Sequence, residues 1–217
     1  MFARSVHAEA SAKRLRVDKA ANYGLHLALS SRQIAIAEAT GLDVIVHDET
    51  RQRGETFGER LVSGVRRVAC LGYERVLVIG GDCPALTTEH LRRAERQLAS
   101  RPGAGLYARD ARGGTYLLGL NLAALDDTTF ARLPWQTARL ARALSETAGL
   151  DAAELPILFD LNTVTDVNHS RTELCALGFG RFVVRRRVQF WRKPTQSYGA
   201  GFGESLPARG PPARRAA

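Results

Sequence analysis

Residues 75–91, RVLVIGGDCPALTTEHL, decide how the rest of the chain is read. Val76 to Ile79 are apolar without a break, and a strand with no polar alternate is expected to be buried on both faces. Gly80 and Gly81 end it, Asp82 projects from its carboxyl end, and Pro84 stiffens the turn. Thr87 or Thr88 can then cap a helix over 87–99, with Glu89 at the positive end of its dipole. A buried strand, a polar turn and a helix make half of a strand–helix–strand crossover.

The flanking sequence repeats the pattern. AANYGLHLALSSRQIAIAEATG spaces Leu25, Leu29 and Ile36 as a helix and stops at Gly41, and LDVIVHD follows as a short β-rich run. GETFGERLVSGVRRVACLG sets Phe57, Leu61, Val65 and Val68 on one helical stripe. GAGLYARD and GGTYLLGL read as two strands around a glycine-rich turn, FARLPWQTARLARALSETAG as a Pro-Trp turn and a helix, and LPILFDLNTVTD as a last apolar strand ending in a polar loop. Apolar strands separated by amphipathic helices predict a layered α/β fold: three layers, a mostly parallel sheet, helices on both faces. MFARS resembles the last residues of an apolar strand, and either Met1 is a misplaced start or the fold has a shortened first strand.

The net charge of +9 invites a nucleic-acid reading until the charge is located. Residues 170–217 carry nine Arg and one Lys against Glu173 and Glu204, a net +8, which leaves +1 for residues 1–169. The expected organisation is a domain over 1–180 and a basic, disordered tail over 181–217. In that tail Arg185, Arg186, Arg187, Arg192 and Lys193 lie beside Phe190 and Trp191, a composition that binds polyanions weakly and that a solvated tail explains as well. Cys70, Cys83 and Cys175 lack zinc or disulfide spacing, and no apolar run reaches the ~20 residues of a membrane span. A cytoplasmic protein without integral membrane association is expected.

In open α/β sheets ligands sit beyond the carboxyl ends of the strands, which singles out the loops Ser5 to Leu15, Gly80 to Leu86, Asp110 to Gly114 and Asp160 to Asp166. Asp82 there is either a turn cap or a ligand for Mg²⁺, which takes few carboxylates when the substrate brings phosphates. Asp160 and Asn162, two apart, could face one metal, or form an Asx turn before a helix. Lys13 could reach a phosphate or be solvated surface. Gly113 and Gly114 mark a backbone passing close to something, or a plain hairpin. No Ser-His-Asp or Cys-His set stands out, and His47 reads as loop surface.

Taken in order, these segments resemble the GT-A-like transferases of selenodomain-associated transferase 1 type, related to molybdenum-cofactor guanylyltransferase and phospholactate guanylyltransferase. The resemblance runs over about Phe2 to Asp166: FARSVHAEASAKRL with Phe2, Ala3, Arg4, Lys13 and Leu15; QRGETFGER with Gln52, Arg53, Gly54, Phe57, Gly58, Glu59 and Arg60; VLVIGGDCPAL; GGTYLLGL; Leu133-Pro134-Trp135; and DLNTVTD. It implies a nucleotide-diphospho-sugar transferase fold and transfer of a nucleotidyl group from a nucleoside triphosphate, or of a glycosyl group from a nucleotide sugar, to a small acceptor. By the resemblance Asp82 holds Mg²⁺ or Mn²⁺ with Asn162 and Asp160, Lys13 contacts phosphate, and Gly80, Gly81, Gly113 and Gly114 line the donor. Where the family reads D-G-G, this chain reads Arg112-Gly113-Gly114, with Asp110 two residues earlier. A degenerate, non-catalytic nucleotide binder is the competing expectation.

Overall fold

The structure is a computed structural model that describes residues 1–100, 103 and 105–183. Its helices are α1 (Val6–Ala12), α2 (Lys19–Glu38), α3 (Phe57–Cys70), α4 (Thr88–Ser100), α5 (Asp127–Ala131), α6 (Leu140–Glu146), α7 (Val164–His169), α8 (Arg171–Leu174) and α9 (Gly180–Val183), the last two joined by a π-helical turn over Cys175–Phe179. Its strands are β1 (Arg75–Ile79), β2 (Gly105–Arg109), β3 (Thr115–Asn121) and β4 (Asp151–Ala152).

Local chemistry explains where the helices start. Asp18 accepts from Ala21 N at the head of α2, Thr87 Oγ1 accepts from His90 N at the head of α4, and Thr56 and Glu59 form a reciprocal capping box on α3. Thr163 and Asp166 form a second box on α7.

The sheet has the order β1-β3-β2-β4 and corrects the expectation of mostly parallel pairing. β3 runs antiparallel to both β1 and β2, and only β2 and β4 pair in parallel. The reason lies in the connection: five residues, 110–114, join β2 to β3, which permits a hairpin and excludes a crossover. β3 is inserted between β1 and β2, so β1, β2 and β4 still point the same way. The run LDVIVHD forms only an isolated parallel bridge, Phe2 to His47, and LPILFDLNTVTD only one from Asp110 to Leu158. In the second run Pro156 has no N–H for a ladder and Ile157 is 62% exposed.

Helices do cover both faces. Val76, Val78, Tyr107, Leu118 and Leu120 pack with Leu61 and Val65 of α3, Phe130 of α5 and Leu140 and Leu144 of α6. The alternate residues Leu77, Ile79, Leu106, Ala108 and Leu117 pack with Leu91, Ala94 and Leu98 of α4, and with Ile36 and Ala37 of α2. A third cluster joins Leu15, Leu25 and Leu29 to Leu161, Val167, Leu174, Phe179 and Val183. The tail expected over 181–217 lies outside the described residues from 184 onward. Among the described residues no helix is long and apolar enough to cross a membrane.

His47 is a correction to its reading as loop surface: it is 7% exposed and stacks on Phe2 with ring centroids 5.7 Å apart. Burial, chiefly, pushes its imidazole pKa down.

Candidate functional site

A cleft of about 980 Å³ opens at the carboxyl ends of β1 and β2, and its lining includes Lys13, Gly80, Gly81, Asp82, Asp160 and Asn162. With Gly114, seven of the eight candidate site residues singled out in the sequence line it, Gly113 being the exception.

Lys13 ends α1 in an extended conformation. Its loop is clamped from α2 by Asn22, only 6% exposed, whose Oδ1 accepts from Leu15 N at 2.8 Å and Arg16 N at 2.9 Å while Nδ2 donates to the carbonyls of Ala10 and Lys13. His26, one turn further along α2, sets its Nε2 3.1 Å from the Lys13 carbonyl. The Asp82 loop is anchored to the same helix, because Gln33 Nε2 donates to Cys83 O and Arg32 donates to the carbonyls of Pro84 and Leu86. Leu161 N donates to Asp82 O at 2.9 Å and ties the Asp82 loop to the Asp160 loop. Neither Asn22 nor Gln33 carried a sequence signal that set it apart from the other polar residues of α2.

The electrostatics are crowded. Lys13 Nζ donates to Asp82 Oδ2 and lies 3.3 Å from Glu9 Oε1. Burial lowers the Lys13 ammonium, but Asp82 and Glu9 outweigh it and its pKa is raised. The Asp160 carboxyl is pushed up to about 8, first by burial and then by the negative charges of Asp82 and Asp110. Its Oδ1 is buried with no hydrogen-bond partner. An unsatisfied buried carboxyl oxygen beside two further carboxylates is costly unless a proton or a cation joins it.

Asp110 organises the β2–β3 turn. Its Oδ1 accepts from Arg112 N at 2.7 Å and from Gly114 N at 2.8 Å. This is what the paired glycines pass close to: a Cβ on Gly114 would lie 2.4 Å from Asp110 Oδ2, and one on Gly113, whose φ is +85°, would lie 2.3 Å from the Ala138 carbonyl oxygen. Gly114 lines the cleft; Gly113 is not among its lining residues. Arg112 reaches across to ion-pair with Asp166. Burial raises the Asp166 carboxyl, and the N–H groups of Asn162 and Thr163 with Arg112 outweigh it, so its pKa is lowered.

The opposite wall is aromatic. Phe57 and Trp135 face each other with centroids 5.5 Å apart, and Trp135 is held by donating Nε1–H to the Phe130 carbonyl at 2.9 Å. Gln136, beside it in the lining, has φ of 62°, the only positive value at a non-glycine among the described residues. Arg4 and Arg60 also line the cleft.

Among the described residues no group of three or more His, Cys, Asp or Glu side chains is arranged to hold a metal by itself. The donor set that exists is two carboxylates, Asp82 and Asp160, beside the amide side chain of Asn162 in the cleft lining. That composition suits a cation whose remaining ligands come from phosphate and water.

Comparison with solved structures finds the same architecture in a protein from Desulfovibrio desulfuricans G20, titled "putative nucleotide-diphospho-sugar transferase". The TM-score is 0.60 with 17% identity, over 83% of this chain and 96% of that one, which establishes likeness of fold. No curated protein matches the chain. A family profile matches residues 15–137, a segment from the Lys13 loop's end through β1, Asp82, the Asp110 turn and Trp135, and the chain belongs to that family, described as "Uncharacterized protein conserved in bacteria (DUF2064)".

Proposed function

We propose that the protein is a metal-dependent transferase that takes a nucleoside triphosphate or a nucleotide sugar and passes a nucleotidyl or glycosyl group to a small acceptor. The observation that carries this reading is the unpartnered, buried Asp160 oxygen next to Asp82 in a cleft with Lys13. The resemblance of the ordered motifs to molybdenum-cofactor guanylyltransferase and phospholactate guanylyltransferase supports it.

Asp82, Asp160 and Asn162 would hold Mg²⁺ or Mn²⁺ together with the donor's phosphates. When bound, the ion screens the phosphates and stabilises charge on the departing oxygen. The chain's own part is positioning and charge. Lys13 exchanges its Asp82 partner for a phosphate oxygen, the Gly80-Gly81 backbone lets the donor approach, and Asp110 holds the β2–β3 turn against the Asp160 loop. The wall of Phe57 and Trp135 excludes water on the acceptor side.

The test is a panel of nucleoside triphosphates and nucleotide sugars, with and without Mg²⁺ or Mn²⁺, read by thermal shift and by mass spectrometry of products. A metal-dependent shift is expected, and an Asp82→Ala variant should lose it. No shift with any member of the panel would defeat the proposal. A second reading, a nucleotide binder without turnover, is favoured by Arg112, which puts a cation where the resembling family has a carboxylate and pairs with Asp166. Metal-independent binding with no product is its signature.

A further inference from the structure

α2 carries two amide side chains that hold the two charged loops of the cleft from behind. Gln33, fully buried, donates Nε2–H to the Cys83 carbonyl, next to Asp82. Asn22, eleven residues earlier and about 16 Å away along the helix, holds the segment around Lys13. The two loops meet at their tips, where Lys13 Nζ donates to Asp82 Oδ2. Neither amide lines the cleft itself.

Asn22 has the more exacting task. Its Oδ1 accepts from Leu15 N and Arg16 N, and its Nδ2 donates to Ala10 O at 2.9 Å and Lys13 O at 3.1 Å. Two N–H groups on one side and two carbonyls on the other settle which atom is the oxygen, and they use both lone pairs and both hydrogens of the amide. Aspartate has the same shape but no donor, and would turn a carboxylate on two carbonyls. Serine and threonine bring one donor, and glutamine is a methylene too long for a close-packed place. The Lys13 carbonyl receives a second donor from His26 Nε2, so the backbone of Lys13 is fixed and only its four-carbon stem can swing. Glu9 lies one turn back on the same helix as Lys13 and moves with it. The bond to Asp82, on another loop, is therefore the one that reports where the Lys13 backbone has been put.

We propose that Asn22 is a positioning residue: its amide fixes the Lys13 backbone where the ammonium reaches Asp82 in the free protein and, on the transferase reading that this half rests on, a phosphate of the donor. Asn22 touches neither Asp82 nor the cleft, so its whole effect on the site passes through Lys13. A lysine stem has many rotamers, and fixing its root removes part of the ordering that an ion pair or a phosphate contact would otherwise require.

The first test is competitive acetylation of amines with acetic anhydride, read by mass spectrometry without metal or nucleotide. The chain has three lysines, Lys13, Lys19 and Lys193, and Lys19 is exposed and serves as the reference. The Lys13 side chain is 23% exposed and ion-paired, so in the parent it should label more slowly than Lys19. Asn22→Ala should raise the Lys13 to Lys19 labelling ratio about tenfold, to the level of Asp82→Asn, because buried hydrogen bonds are lost at the root of the side chain. Should the alanine variant not fold, Asn22→Asp keeps the bonds from Leu15 and Arg16, loses the other two, and carries the same readouts. The second test is calorimetric binding of Mg²⁺-pyrophosphate, which presents a donor's phosphates alone. Its Kd should weaken about tenfold in Asn22→Ala and by a similar factor in Lys13→Met, with no further loss in the double variant. A residue that only stabilised the fold would weaken binding equally on both backgrounds. An unchanged labelling ratio in a folded variant, or additive losses in the double variant, would overturn the proposal. A parent that binds no Mg²⁺-pyrophosphate would count against the transferase reading and remove the phosphate half, while the labelling ratio still decides whether Asn22 places Lys13.

Discussion

Replacing Asp160 by Asn tests the electrostatic reading of the cleft most directly. The Asp160 carboxyl is raised from 3.8 to about 8. Between those values the folded protein keeps the proton that the unfolded chain has shed, so the unfolded state binds fewer protons and stability falls as pH rises. One proton sets the limit of the slope at ~1.4 kcal/mol per pH unit. Asp160 is partly exposed as a whole residue and Lys13 pulls its pKa the other way, so a slope of about half that limit is expected. The asparagine variant keeps the shape and has nothing to titrate. Urea unfolding of both proteins in EDTA, across about pH 5 to about pH 8, measures the difference. The variant should gain on the parent steadily through that window, and calorimetry of the parent with Mg²⁺ and nucleotide should show proton release on binding. Parallel stability profiles would refute the claim that Asp160 is held protonated.

Three further perturbations are quantifiable. A Cβ on Gly58 would lie 2.0 Å from the Ala131 carbonyl oxygen and 2.7 Å from Trp135 Nε1, so Gly58→Ala should cost about 2 kcal/mol in urea unfolding despite the better helix former. Thr56→Ala removes half of the α3 capping box and should cost about 1 kcal/mol by the same assay, with the cleft's ligand response unchanged. Arg112→Asp breaks a half-exposed ion pair, at less than about 1 kcal/mol, and adds a carboxylate near Asp110; it should strengthen the Mg²⁺-dependent thermal shift, and an unaltered shift would separate Arg112 from the site.

The residues that were legible in the sequence are those whose chemistry is local. Val76 to Ile79 announce a strand whatever surrounds them, and helices pack on both faces of β1, but only Ile79 is fully buried because β1 stands at the edge of the sheet. The same logic placed Asp82 at a strand end, in the cleft that also holds Lys13, Asp160 and Asn162. What failed depends on pairing partners far along the chain. The hairpin loop over 110–114 foretells that β2 and β3 run antiparallel, but nothing local says that β3 also inserts beside β1. Asn22 and Gln33 escaped notice for a related reason, since their partners at Leu15, Arg16 and Cys83 are brought to α2 only by the fold. His47 was misread because the Phe2 ring that buries it lies at the other end of the parallel bridge.

Charge explains the pairing within the cleft. Asp82, Asp110 and Asp160 interact across a small volume, and three ionised carboxylates there would repel strongly. The fold relieves the repulsion in two ways: Lys13 sits on Asp82, and Asp160 keeps its proton. Both devices are reversible. A divalent cation would replace the proton on Asp160 and the ammonium on Asp82 together, and the phosphates arriving with it would give Lys13 a new partner. Neither the cation nor the polyphosphate alone removes both strains, since the cation by itself strands Lys13 and the polyphosphate by itself faces the carboxylates. The binding of the two should therefore be mutually dependent, each raising the affinity for the other by the same factor, as linkage requires.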